Sequence, residues 1–83
     1  MRLDKFLKTS RLIKRRSVAN EICSSGRVKL NGRPAKPGAE IKPGDILEIA
    51  FGQGNTKVRI LETQNVVRKE QAQSLYEIIE SDS

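Results

Sequence analysis

The chain has 83 residues, 36% hydrophobic and 31% charged, with a formal net charge of +6. Such a length holds a single small core and no deep pocket for a large substrate, and no apolar run approaches the roughly 18 residues that cross a bilayer. Without histidine, and with Cys23 as the only cysteine, neither an internal disulfide nor the usual zinc-ligand sets can form within the chain, so no metal or other cofactor is expected.

The charge is unevenly placed. Residues 1–36 carry eleven Lys or Arg against Asp4 and Glu21, a net of +9, whereas residues 37–83 carry five against eight acids, a net of −3. A cluster of one sign opposes folding unless a partner uses it, and the commonest users are nucleic acids, then anionic membrane surfaces. The basic N-terminus leads into an amphipathic pattern and not into an apolar h-region, so no signal peptide is read and the cytoplasm is the expected compartment.

Leu3, Phe6 and Leu7 stand at i, i+3 and i+4, the spacing of one buried helical stripe, and Asp4 suits the positive end of that helix. Thr9 and Ser10 break it, and a connector follows in which Leu12 and Ile13 pack inward while Arg11 and Lys14 stay solvated. A second helix is predicted from Arg16 to Ser25, with Val18, Ala19, Ile22 and Cys23 as its apolar stripe and Gly26 as its left-handed stop. Its start is poorly signalled: Arg15 cannot cap as Ser or Thr would, and two cations oppose the dipole there. Local stability given up at that junction is a hint of function.

Arg27 to Leu30 alternates with period two and runs into Asn31-Gly32, a strong signal for a tight hairpin that returns through Arg33 to Lys36 as an edge strand tolerant of Pro34. Two Pro-Gly turns, at Pro37-Gly38 and Pro43-Gly44, flank Ile41. Ile46 to Phe51 is the predicted sheet centre, turning through Gly52 to Asn55 into an antiparallel Lys57 to Glu62. From Val67 to Glu80, Ala72, Leu75, Tyr76 and Ile79 stand at helical spacing and predict a terminal helix, with Ser81 to Ser83 fraying. The whole reads as an α+β fold: two short helices packed on a small antiparallel sheet, domain 1–64, followed by a C-terminal helical extension, 65–83.

Enzymatic chemistry finds little support. There is no histidine for general base work, no phosphate loop, and no serine or cysteine with an activating partner. Asp45, Glu48 and Glu62 read as solvent-facing acids beside turns and on strands, and Cys23 as a small core thiol, so no catalytic residue is assigned. Nucleic-acid binding remains. Phe6, Phe51 and Tyr76 all occupy apolar-periodic positions, so no aromatic platform for splayed bases is expected and phosphate contacts should dominate. A protein-interaction module that docks an acidic partner on the basic face is the alternative.

Arg2-Leu3-Asp4-Lys5-Phe6-Leu7, then Arg16 opening a helix, then Ser25 to Gly32, Lys36-Pro37 and Pro43-Gly44-Asp45, resemble the S4 domain, an RNA-binding module, over about residues 1–51. The resemblance implies two helices on a small sheet, with RNA held by both helices and the first hairpin. By position it points to Arg2, Lys5, Lys8, Arg11, Lys14, Arg15, Arg16, Lys29 and Asn31, with Asp4 in support, orienting neighbouring cations or capping the helix. Arg15 departs from the family pattern, which usually has Ser or Thr before the arginine. The connector Leu12 to Arg16, the small size and the expected short acidic C-terminal helix resemble the stand-alone RqcP (YabO) group, relatives of the ribosome-associated heat-shock protein. That likeness implies a monomer that binds 23S rRNA and tRNA on a free large ribosomal subunit and assists C-terminal tailing of stalled nascent chains with a partner, RqcH. The catalytic domain of a pseudouridine synthase or a synthetase is not expected in so short a chain.

Overall fold

The computed structural model describes residues 1–51, 54–63 and 73–82. Two helices, α1 (Leu3–Thr9) and α2 (Arg16–Ser24), precede five strands: β1 (Val28–Leu30), β2 (Arg33–Pro34), β3 (Ile46–Phe51), β4 (Gly54–Ile60) and β5 (Tyr76–Asp82). The strands form one antiparallel sheet in the order β2-β1-β3-β4-β5, which places the apolar β3 at the centre as its sequence predicts.

Period decides which side of each element is covered. Leu3, Phe6 and Leu7 of α1 are fully buried, and Ala19 and Cys23 of α2 join them over Val28, Leu47, Ile49, Val58 and Ile60 of the sheet. Ile13 anchors the connector between the helices, with Leu12 packed partly against the same core. Val18 is a correction to the expected stripe: it is 40% exposed, because it lies about 100° around the helix from Ala19, on which the buried side is centred.

The two ends of α2 differ. At its C-terminus Gly26 adopts φ +82°, its N–H donates to the Cys23 carbonyl at 3.1 Å, and the Arg27 N–H reaches back to Ile22 at 3.0 Å, the paired bonds of a Schellman stop. Its N-cap, Arg15, has extended backbone and makes no side-chain cap bond. The α1 start is satisfied from outside the helix: the Leu3 and Asp4 N–H groups donate to the carbonyls of Ala39 and Pro37 at 2.8 and 3.0 Å. The 37–39 loop is therefore the external cap of the first helix.

Asn31 and Gly32 both have positive φ, as a two-residue hairpin turn requires, and the return strand is shorter than expected, only Arg33–Pro34. Lys36 to Lys42 then leaves the sheet to tie down the N-terminus: Ile41 N–H donates to Met1 at 3.0 Å, and the Met1 amine pairs with Glu40 at 2.7 Å.

The expected terminal helix is corrected over its second half. Residues 67–72 lie outside the described residues, Gln73–Leu75 form a single 3₁₀ turn, and Tyr76–Asp82 are β5, paired with β4. Leu75 is buried, so helical spacing correctly marked a core residue and misassigned its element. The adjacent β-branched Ile78 and Ile79 favour a strand, and β5 satisfies the ladder edge that β4 would otherwise leave open. The register shifts between Lys57 and Val58, paired with Glu80 and Ile78, so Ile79 is the bulged residue. Because β5 extends the sheet built by residues before 64, this end of the chain adds to the same layer.

Candidate nucleic-acid interface

The site is built around one buried carboxylate. Asp4 sits in the first turn of α1 with its side chain only 3% exposed, and its Oδ1 accepts the Lys5 N–H at 2.8 Å. Arg2 approaches through Nε, 3.4 Å from Oδ1, and through Nη2, which donates to Oδ2 at 3.5 Å. Arg16, the first residue of α2, approaches the same Oδ2 through Nε at 3.5 Å. Two guanidinium groups from different elements are thereby gathered on one anchor, each about half exposed. The anchor neutralises part of their mutual repulsion and holds them side by side facing water.

Around this pair the connector and helices present Lys8, Arg11, Lys14 and Arg15, all exposed, and the partly exposed Lys5. Among the described residues none of these five forms an ion pair; the arginines and lysines that do are Arg2, Arg16, Lys57 and Arg59. Arg11 holds a left-handed backbone at φ +61°, an uncommon conformation for a side chain of its size and a local strain at the centre of the basic connector.

Two predicted site residues are placed differently. Lys29 lies between the inward-facing Val28 and Leu30, so it projects from the sheet face opposite the helices, with Glu48 as its cross-strand neighbour. Asn31 is exposed but its side chain is engaged by its own chain: its Oδ1 accepts the Ile46 N–H at 2.9 Å and its Nδ2 donates to Asp45 Oδ1 at 3.2 Å. Asp45 in turn is buried, contrary to the solvent-facing position expected of it, because its Oδ2 accepts the Lys42 N–H at 3.0 Å and so closes the Pro43-Gly44 turn. Asn31 and Asp45 lock the hairpin to the start of β3.

Sequence reading left Arg33 and Lys36 out of the site, although both are exposed and line an open groove with Arg2. Their only signal was membership of the +9 half, which does not distinguish one cation from another. Cys23 lies in the core, where burial, and secondarily the charge of Asp4, push its thiol up to about 11 and disfavour the thiolate.

Residues 1–47 match the S4 domain family. The RQC P-site tRNA stabilizing factor of Halalkalibacterium halodurans is 55% identical to this chain, over 94% of it and 89% of that protein. The factor of the same name from Bacillus subtilis is 46% identical, over 99% and 95% respectively. The chain belongs to this family of S4-domain proteins. Its backbone is also similar to a trimeric structure of Vibrio cholerae heat shock protein 15, with a TM-score of 0.86 and 32% identity over 94% of this chain and 80% of that one. The Asp4 anchor, both helices and the first hairpin fall within the S4 match, whereas β4 and β5 fall beyond it. No helix among the described residues is long and apolar enough to cross a membrane.

Proposed function

We propose that this chain is an RNA-binding factor of the large ribosomal subunit that holds 23S rRNA and peptidyl-tRNA during quality control of stalled nascent chains. The observation that carries the reading is the convergence of Arg2 and Arg16 on buried Asp4, at the head of a helix with no side-chain cap and beside five cations that form no ion pair among the described residues. Such an array suits closely spaced phosphates of a folded RNA backbone. The names of its relatives support the tRNA half of the assignment.

The chain acts without catalysis, as a cytoplasmic monomer, and assists C-terminal tailing together with RqcH. Arg2, Lys5, Lys8, Arg11, Lys14, Arg15 and Arg16 form the main RNA face, while Lys29 meets RNA only where it wraps to the far side of the sheet.

Binding of the purified protein to large subunits carrying P-site tRNA, titrated with salt, tests this. Log affinity should fall with log salt by roughly 0.7 to 0.9 per phosphate contacted. Arg16→Ala should weaken binding by about 1.5 to 3 kcal/mol, the range of a charge-assisted hydrogen bond. Salt-independent binding, or co-sedimentation that survives digestion of the RNA, would instead identify an acidic protein as the partner of the basic face.

A further inference from the structure

Between α2 and the residues 33–39 that follow the hairpin runs an open groove of about 780 Å³. Leu30, Pro34 and Ala35 give it apolar walls, Arg2, Arg33 and Lys36 give it three cations, and among the described residues no acid lines it. One of those cations is held in an unusual way. The position a Cβ would take on Gly38 lies 3.6 Å from Arg2 Nη2 and 3.9 Å from both Cζ and Nε. Near-equal distances to three atoms of one planar group require that the guanidinium lie with a face, not an edge, toward Gly38.

The in-plane edge of the same group, Nε and Nη2, is engaged by Asp4. With one face turned toward the place a Gly38 side chain would take and the Nε–Nη2 edge on Asp4, neither neighbour covers the opposite face of this half-exposed guanidinium. A carboxylate seeks the forked edge of an arginine, whereas a flat π-system seeks its face. Asp4 takes the Nε–Nη2 edge and leaves the Nη1–Nη2 edge free, so it is the open face beside the apolar walls of Leu30, Pro34 and Ala35 that favours a base over an acidic side chain as the occupant.

We infer that this groove seats an unpaired nucleotide of the bound RNA, its base stacked on Arg2 over the apolar wall and its flanking phosphates on Arg33 and Lys36. Guanidinium planes serve as stacking surfaces for splayed bases where no aromatic ring is available. Phe6 and Tyr76 do not offer one here: Phe6 is buried and Tyr76 is partly buried against the core. The volume falls within the range of small-ligand clefts, ample for one nucleotide. The inference rests on the RNA-binding reading above and adds an element of base contact to what is otherwise phosphate recognition.

Two RNA hairpins test it, identical except that one carries a single unpaired 2-aminopurine. The wild-type chain should prefer the bulged hairpin by roughly 5- to 150-fold, the range expected for one stacked base, with a change in aminopurine fluorescence on binding. Arg2→Lys keeps the charge and removes the plane; because Arg2 also belongs to the RNA face, both hairpins should bind more weakly, but the bulged one should lose more, with the preference and the fluorescence change abolished. The double variant Arg33→Ala/Lys36→Ala alters only exposed side chains and should weaken the bulged hairpin more than the paired one. Equal affinity of the wild-type chain for both hairpins overturns the groove assignment and leaves RNA binding standing. Failure to bind either hairpin overturns the RNA reading itself. Binding of a poly-glutamate peptide that is lost in the double variant, without any bulge preference, overturns the nucleotide in favour of an acidic protein.

Discussion

The outer face of the sheet and the helical face of this small protein treat positive charge in opposite ways. Across the sheet, Lys29, Glu48, Lys57 and Glu80 stand in register on four neighbouring strands, a row of alternating sign. Lys57 lies 3.2 Å from Glu48 and 3.9 Å from Glu80, and Arg59 pairs with Glu77 at 2.7 Å. On the helices and their connector, by contrast, Lys5, Lys8, Arg11, Lys14 and Arg15 have no ion-pair partner among the described residues, and buried Asp4 serves two arginines. Cross-strand pairs of opposite charge help a sheet form. Clustered like charges at the positive end of a helix hinder folding, so their retention points to an external anion. On the proposed reading, the region matched to sign is scaffold and the unmatched region is the binding face.

Asp4→Asn attacks the junction of the two regimes and should have the largest effect. Asn keeps an oxygen for the Lys5 N–H but removes the charge on which Arg2 and Arg16 converge. Urea denaturation should show a loss of about 1 to 3 kcal/mol, the cost of breaking buried hydrogen bonds to a charged group. The net charge rises by one unit, so if bulk electrostatics governed binding, RNA affinity would rise. Loss of the anchor predicts that affinity falls, and a rise would show that holding the two guanidinium groups contributes nothing.

Much of this arrangement was readable from residue order. The stripe Leu3, Phe6 and Leu7, the Gly26 stop and the Asn31-Gly32 turn each carry a local signal strong enough to survive folding, and all three occur as expected. The C-terminal segment misled because Leu75, Tyr76 and Ile79 satisfy a helical period by chance, while the decisive influence was non-local, the open edge of β4. Asp45 misled for a similar reason: a turn acid is ordinarily solvated, and only the fold brings Asn31 and the Lys42 N–H to it. In the site, Asp4 and the arginines were legible as motif positions, whereas alternation alone places Lys29 on the far face of the sheet only once the side covered by the helices is known. The groove beside Arg33 and Lys36 arises from the path of residues 33–39 across α2, which no local pattern encodes.

Arg15→Ser should move stability and binding in opposite directions. The backbone at this position, φ −123° and ψ 133°, already has the extended geometry of an N-cap, and only the side-chain acceptor is missing. Supplying it should raise stability by about 0.5 to 2 kcal/mol. Removing one cation from the face should weaken RNA binding and reduce the salt slope by roughly one phosphate equivalent. A variant that is stabilised and binds equally well would show that Arg15 is a neutral departure, with no conflict between folding and function at the start of α2.

The smallest effect is expected on the sheet, from Arg59→Ala. Its partner Glu77 lies on the neighbouring strand, and both side chains are about half exposed, so solvent competes for each charge and ordering two long side chains offsets the attraction. Exposed pairs of this kind contribute about 0 to 1 kcal/mol. Removing Arg59 lowers the net charge by the same unit as removing Arg16, which makes the two variants a matched pair for long-range electrostatics. Both should therefore lose the same small, salt-screened share of the attraction for a polyanion. Arg16→Ala alone should lose a specific contact as well, visible as an affinity gap that persists at high salt. If the two variants lose affinity equally at every salt concentration, charge on the ladder and charge on the helices are interchangeable, and the division into scaffold and binding face fails.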